Sequence, residues 1–287
     1  MKSPDFEYAR VKNLADVFAL QKLHGESAQI LAGGQSLLAV MNLRMANPQV
    51  LIDIGDLHEL RGIEHTKNTV RIGALTTHHD ILTSAVVQQH IPLLAQAVPH
   101  VAHLAIRNKG TIGGSLALGD PAAEYPAVAL ALNATLILKS AKSERRVSAR
   151  DFFISLYRTA VKPDEILVAV EFPVATSDQR FVFLELSRRK GDYAIVGLAA
   201  AFTLKGKTVS DCALAYMSVD DKPVLAPLAM EAMEGETIDA SSIAQAQKAL
   251  DKDLNPAGDL QGNTATKKQL ARVLLSRALM QAGEQHV

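Results

Sequence analysis

The chain of 287 residues carries 30 Lys and Arg against 30 Asp and Glu, is 48% hydrophobic, and holds one Cys and no Trp. A chain of this length buries a sizeable core and corresponds to roughly two domains. Balanced charge leaves no basic excess to neutralise phosphates, which argues against a nucleic-acid partner. The lone Cys212 excludes a disulfide framework, a Cys-based zinc site and an iron–sulfur cluster held by this chain alone. Such cysteine usage fits a reducing cytoplasm. The longest apolar stretch, Ala194 to Phe202, is far short of the roughly 18 residues a membrane span needs. The opening MKSPDFEYARV lacks the apolar core of a signal peptide. A net charge of zero gives little protection against association and favours life inside a complex.

In chain order, Asn13 is placed to cap a helix carrying Leu14, Val17, Phe18, Leu20 and Leu23, stopped near Gly25. A short apolar run, Gln29 to Ala32, reaches Gly33-Gly34. A second helical pattern begins at Ser36, and Val50 to Ile54 reads as a strand after Pro48. Strand, glycine turn and helix start, in that order, direct backbone N–H groups toward an anion. Asn68 marks the turn of a hairpin between Gly62–His65 and Val70–Ile72, and Thr77-His78-His79-Asp80 fits a capping box. The stretch from Ile91 to Ala105 reads as helix, broken or kinked at Pro99. Thr135–Leu138 and Ile166–Phe172 read as strands, and Pro173–Asp178 as a linker. Beyond it, Phe181–Leu186, Ala194–Leu204 and Val209–Met217 predict three antiparallel strands, followed by helices over Pro227–Met233, Ser241–Leu250 and Thr266–Ala282. The expected class is α+β, in an N-terminal domain of residues 1–175, divided near residue 56, and a C-terminal domain of residues 178–287.

Two segments carry the chemistry. The first is Ala32-Gly33-Gly34-Gln35-Ser36, followed by Leu37; the second is Thr111-Ile112-Gly113-Gly114-Ser115, followed by Gly119-Asp120 and Glu124. Paired glycines present no Cβ to an approaching ligand and permit positive φ, so consecutive N–H groups can converge. Two such loops could enclose the two phosphates of one dinucleotide, although any single Gly-Gly is more often a plain turn. No G-x-x-x-x-G-K-[ST] is present, no G-x-G-x-x-G follows a strand, and neither Ser36 nor Ser115 sits in G-x-S-x-G. These absences weaken a P-loop nucleotidase, a Rossmann site and a hydrolase. His78-His79 and the His100/His103 pair lack the further ligands of a metal site and suit packing or capping better. The segment Arg188-Arg189-Lys190-Gly191-Asp192-Tyr193 is either a solvated basic turn or a loop that brings Tyr193 against a planar ligand.

AGGQSLL, IRNKGTIGGSLALGDPAAEYPA and RRKGDYA, in this order, closely resemble the FAD-binding medium subunit of the molybdenum hydroxylases, as in carbon monoxide dehydrogenase and quinoline 2-oxidoreductase. The resemblance spans essentially the whole chain. It implies a vanillyl-alcohol-oxidase-like FAD domain of two α/β subdomains and a C-terminal α+β domain. It assigns the pyrophosphate and ribityl of FAD to residues 32–36 and 111–115, with Val101, Ala102 and Ile106 lining the pocket. Glu124 matches an acidic position that contacts the cofactor, and Lys190, Asp192 and Tyr193 match the segment beside the isoalloxazine ring. Ser115 stands where many relatives have Asn, and Glu124 where Asp is commoner. The partners implied are a small subunit with two [2Fe–2S] clusters and a large subunit with molybdopterin, in a dimer of heterotrimers. On that reading the chain passes electrons from the clusters to an external acceptor and needs no catalytic acid or base. The alternatives are a free-standing flavin oxidoreductase, with Tyr193 or His103 as base, and an assembly protein that has lost FAD.

Overall fold

The computed structural model describes residues 2–284; the outermost bounds expected for the two domains, 1 and 287, lie outside them. The chain begins with β1 (Glu7–Arg10), α1 (Leu14–His24), β2 (Ala28–Leu31), α2 (Leu37–Asn42) and β3 (Val50–Asp53). The three strands form a parallel sheet in the order β1-β3-β2, with Tyr8 opposite Leu51 and Ile30 opposite Ile52. Asn13 caps α1 as its spacing predicts, its side chain accepting the Asp16 N–H at 3.0 Å, and Gly25 ends the helix at φ +54°. Strand β1 was not legible, because the four residues EYAR are mostly exposed and carry no alternating pattern.

The next unit runs β4 (Ile63–His65), β5 (Thr69–Gly73), α3 (His78–Thr83), α4 (Ala85–His90), α5 (Pro92–Ala97), α6 (Leu104–Arg107), α7 (Ile112–Leu118), α8 (Glu124–Ala131), β6 (Thr135–Lys139), β7 (Glu144–Ser148), α9 (Ala149–Phe152), β8 (Phe153–Ser155), β9 (Arg158–Thr159) and β10 (Ile166–Pro173). Its five-stranded antiparallel sheet has the order β4-β5-β10-β6-β7. The capping box at Thr77 forms in full with Asp80. The long helix read over residues 91–105 is two short helices. Ile91 stays outside α5 because a residue before proline disfavours the helical region, and Pro99 sits in a 3-10 turn over Val98–His100. Helix α8 escaped the sequence reading because Tyr125 to Ala131 are buried on every side, which erases the amphipathic stripe.

The last unit is β11 (Gln179–Leu186), β12 (Val196–Lys205), β13 (Thr208–Met217), β14 (Val224–Leu225), α10 (Pro227–Glu231), α11 (Ala240–Asp253) and α12 (Thr264–Glu284). The sheet has four strands, β11-β12-β13-β14, rather than the three expected. The addition is the two-residue β14, too short to leave a period in sequence. One face packs Leu198, Ala200 and Phe202 against Leu274, Leu275 and Leu279 of α12. The other offers Phe181, Phe183, Ala199 and Met217 to a core shared with α5 and α8. The C-terminal sheet is thereby built onto the first domain across a continuous apolar core, and the loops at their junction are held in place. Replacing fully buried Phe172 of β10 by Ala should cost about 3–5 kcal/mol of unfolding free energy, read from urea denaturation. A loss below about 1 kcal/mol would contradict this packing.

Candidate functional site

Loop 32–36 leaves β2, the edge strand of the parallel sheet, and enters α2. Gly34 turns the chain at φ +71°, a conformation costly to residues with a Cβ. At Gly33 the demand is space: a Cβ would lie 2.1 Å from the Lys109 carbonyl oxygen and 2.9 Å from Gly110 Cα. Backbone therefore meets backbone, and the loop is pressed against the strand of chain that leads to Thr111. Among the described residues the N–H groups of Gly33, Gly34, Gln35, Ser36 and Leu37 have no acceptor. Ser36 does not cap α2 through its side chain and is exposed.

The second loop is organised differently. Ile112 and Gly113 donate to Thr76 O (3.1 Å) and Ala74 O (2.9 Å), and Thr111 Oγ1 accepts the Gly114 N–H at 3.1 Å. Ser115 donates to Thr111 O at 3.1 Å, so the first N–H groups of α7 are all satisfied internally. Gly113 is needed because a Cβ would lie 2.6 Å from Ala74 O, whereas a Cβ on exposed Gly114 would have only Thr111 Oγ1 at 3.0 Å and Ala32 Cβ at 4.0 Å nearby. Open space in front of Gly114 thus faces Ala32 across the gap between the two loops. The donors lie on the first loop, and the second supplies the wall.

Upstream, Arg107 donates to Val101 O (2.9 Å) and Ala102 O (2.8 Å), which fixes Ala102 at φ +43°. Ile106 is half-buried and its carbonyl receives the Gly110 N–H at 2.7 Å. Gly191, at φ +86°, lies where a Cβ would strike the His103 ring at 2.5 Å and Ala102 O at 3.0 Å. That contact lays the 187–193 loop on residues 102–103; burial and then the Lys190 charge hold His100 below its ordinary 6.5. Asp192 closes a turn by donating its N–H to Arg189 O at 3.1 Å. Tyr193 follows, 61% exposed.

Asp120 is buried and accepts the Ala122 N–H at 2.9 Å; burial raises its carboxyl above the usual range against that bond. Glu124 opens α8, and burial, then the nearby Glu185 and Asp120 carboxylates, push it up to about 8. Partial burial, then the nearby Asp120, Tyr157 and Glu124, push the Tyr193 hydroxyl up to about 12. The residues named from sequence therefore fall into three neighbourhoods: Ala32 and Gly33 by residues 109–114, Ala102 by Gly191, and Asp120 and Glu124 by Tyr193. Sequence reading missed Tyr157, at φ +53° on the tip between β8 and β9, and buried Glu185 on β11. An aromatic residue in a tight turn without glycine was the available signal for Tyr157.

Another missed contributor is Lys267 of α12. Its buried Nζ donates to Ser218 O at 2.8 Å and pairs with Asp259 at 2.6 Å, while Ser218, at φ +63°, gives its N–H to Pro121 O at 2.8 Å. Through that chain the C-terminal domain anchors the turn that carries Asp120. Within the C-terminal domain, Arg188 at the start of the Tyr193 loop donates to Leu260 O at 2.7 Å. No group of three or more His, Cys, Asp or Glu able to hold a metal ion exists among the described residues.

The raised Glu124 makes a test of this electrostatic picture. Below the unfolded value of 4.5 the carboxyl is protonated in both states and has no effect. As pH rises from 4.5 to about 8 the unfolded chain releases a proton that the folded chain retains, so stability falls; above that window the penalty is complete. Glu124→Gln should therefore match the wild type in urea near pH ~4 and be the more stable near pH ~9. Equal midpoints at both would overturn the burial of this carboxyl.

Residues 4–175 match the family model described as FAD binding domain in molybdopterin dehydrogenase, and residues 181–282 match the CO dehydrogenase flavoprotein C-terminal domain. The chain is 36% identical over 279 residues to the glyceraldehyde dehydrogenase medium chain of Sulfolobus acidocaldarius, covering 97% of this chain and 98% of that one. It is 35% identical over 279 residues to the carbon monoxide dehydrogenase medium chain of Hydrogenophaga pseudoflava, covering 97% of each. Its fold superposes on carbon monoxide dehydrogenase of Hydrogenophaga pseudoflava with a TM-score of 0.96 at 36% identity, covering 100% of this chain and 99% of that one. Quinoline 2-oxidoreductase of Pseudomonas putida 86 gives a TM-score of 0.95 at 34% identity, again over 100% and 99%. The two-domain match over nearly the entire length, on the fold and loops described above, makes this chain a member of the FAD-binding medium subunits of the molybdenum hydroxylases.

Proposed function

We propose that the FAD of this flavoprotein subunit lies along residues 32–37, 101–115 and 120–124 and under the 190–193 loop, and that it carries electrons from [2Fe–2S] clusters of a small partner subunit to an external acceptor. The observation that carries this reading is the run of unaccepted N–H groups from Gly33 to Leu37, next to Ala32, which lies across from Gly114. Converging N–H groups at a helix start suit a pyrophosphate, and a second loop without side chains leaves room for it. The residues present therefore fit the cofactor. Gly33, Gly34, Gln35, Ser36 and Leu37 would offer donors to the phosphates, with Ala32, Thr111, Ile112, Gly113, Gly114 and Ser115 walling the phosphate and ribityl end. Val101, Ala102 and Ile106 would line the pocket, Asp120 and Glu124 would face polar cofactor groups, and Lys190, Asp192 and Tyr193 would border the flavin ring.

FAD bound there supplies a centre that takes electrons singly and gives them in pairs. The protein's part is to hold, orient and tune it. Substrate hydroxylation belongs, on this reading, to a large subunit with molybdopterin, and the assembly is a dimer of heterotrimers in the cytoplasm. Leu38, Val40, Leu43 and Met45 on and after α2 are all exposed beside the first glycine loop, a cluster of apolar surface that suits a subunit interface. No helix among the described residues is long and apolar enough to cross a membrane. We also read residues 1–175, divided near 56, and 178–287 as the functional domains.

The first test is the visible spectrum of the purified protein with chromatography of any ligand released by heat; one FAD per chain is expected, and a colourless protein that takes up no added FAD would overturn the reading. Two variants then separate space from folding. Gly114→Val should abolish FAD retention, because its side chain enters the gap facing Ala32, while its crowding of Thr111 Oγ1 at 3.0 Å costs the fold less than the backbone clash at Gly33 would. Gly33→Ala should instead destabilise the chain with or without flavin, because its Cβ meets the Lys109 carbonyl. Full flavin occupancy in Gly114→Val would place the cofactor elsewhere.

A further inference from the structure

His78 opens α3 directly after its cap Thr77 and is only 5% exposed. Its backbone N–H donates to Gly110 O at 3.0 Å, and Thr77 makes an isolated antiparallel bridge to Thr111. The start of α3 is thereby stitched to the segment that leads into α7. The imidazole lies against Gly110, where a Cβ would stand 2.6 Å from Nε2 and 2.8 Å from Cδ2. Gly110 Cα in turn is what a Cβ on Gly33 would meet at 2.9 Å. Imidazole, Gly110 and Gly33 therefore stand in direct succession, and both close approaches are made at glycines. The ring also packs on fully buried Tyr125 of α8, with centroids 5.1 Å apart at an interplanar angle of 57°.

Stability alone does not account for an imidazole at this position. Its Nδ1 is buried and has no hydrogen-bond partner among the described residues. Burial, then the nearby Arg107 charge, push the imidazole down to about 4, so the ring is neutral near pH 7. A buried polar atom without a partner costs the fold free energy that an apolar side chain would not. What the ring supplies is a rigid, flat surface set against bare backbone. We propose that His78 is a positioning residue for the flavin phosphate site: its ring is the stop that sets where Gly110 stands and, through Gly110, how Gly33 and the N–H groups after it are aimed. The proposal rests on the reading of the cofactor site given above.

The mechanics follow from the spacing. Gly110 donates its N–H to Ile106 O at 2.7 Å and is not in the left-handed region, so alanine there suits the backbone and fails only on space. Its methyl would strike the ring at 2.6 Å, whereas Ile106 O at 3.2 Å asks for a shift of only a few tenths of an ångström. Gly110 must then move off the ring, and Gly33, which has no room for even a Cβ beside that backbone, must move with it. Removing the ring has the opposite effect, because Gly110 loses its support and settles into the space left behind. Either change displaces the N–H run from Gly33 to Leu37. In a preorganised site a displacement of about 1 Å costs roughly 10²-fold.

The test titrates the full chain, stripped of flavin, with FAD and reads the dissociation constant from flavin fluorescence, with urea midpoints of the same variants as the control for folding. His78→Ala and Gly110→Ala should each weaken FAD binding by about tenfold or more. In the double variant the new methyl enters the space that the ring vacated, so affinity should return to within about threefold of wild type. His78→Gln, whose amide reaches about as far as Nε2, should also stay within about threefold. A ring that merely fills the core would shift the urea midpoints and leave every FAD dissociation constant unchanged, and that result would overturn the positioning role. Additive losses in the double variant would overturn it too. Where a single variant does not fold, weak FAD binding in both the double variant and His78→Gln decides against the proposal. A wild-type chain that takes up no FAD, or a Gly114→Val chain that takes it up fully, would overturn the site reading and the proposal with it.

Discussion

The site depends on one close approach, that of Gly33 to the backbone of Lys109 and Gly110. With any side chain at residue 33 the first glycine loop could not lie against the segment leading into α7, since a Cβ would sit 2.1 Å from a carbonyl oxygen. A loop off the parallel sheet and the segment between α6 and α7 are brought together by that absence of atoms. Gly113 repeats the device on the inner side, where Ala74 O accepts its N–H. These two glycines are spent on folding, and Gly34 on a left-handed turn, which leaves Gly114 as the one whose missing side chain opens onto the gap. A Gly-Gly pair in sequence thus conceals several different physical requirements, of which ligand access is only one.

The C-terminal domain completes the site rather than merely flanking it. Lys267 holds Ser218 O, and Ser218 holds Pro121 O, so a buried ammonium on α12 fixes the turn of Asp120. Desolvating that ammonium is offset by its pairing with Asp259 and by a carbonyl acceptor, the minimum for a buried charge. Gly191 on His103 holds the Tyr193 loop against the first domain, and Arg188 on Leu260 fixes the start of that loop within the C-terminal domain. Shared burial of Phe181, Phe183, Ala199 and Met217 with α5 and α8 supplies the adhesive term, and these polar ties set the register.

Much of this architecture was legible in the residues. Capping chemistry placed the starts of α1 and α3, the Asn68 turn placed the β4–β5 hairpin, and the three apolar runs at 181–186, 194–204 and 209–217 revealed the C-terminal sheet. What escaped had a physical cause in each case. Helix α8 is buried all round, β14 has only two residues, and β1 is mostly exposed, so none leaves a clean period. The glycine loops and the Tyr193 segment stood out in the sequence because their composition is unusual. Glu185 and Lys267 were not, because a charged residue in an otherwise ordinary strand or helix reads as solvated face until the tertiary packing buries it.

That burial has a direction. Asp120, Glu124 and Glu185 all have carboxyls raised by desolvation, and Glu124 is raised further by the other two, so the chain tolerates a cluster that weakens its folded state as pH rises. Elsewhere it treats acids differently: Glu165 is tied bidentately by Arg145 at 2.7 Å and Glu171 is paired with Arg71 and Arg146, which lowers both. The same fold therefore pairs carboxylates where structure alone is served and leaves them unpaired where three segments of the site converge. Raised carboxyls gathered where segments meet, against ion-paired ones elsewhere, point to a functional region. A neutral carboxyl donates a hydrogen bond or a proton, which an ion-paired carboxylate cannot do, and these three sit where the proposed flavin would draw on that capacity.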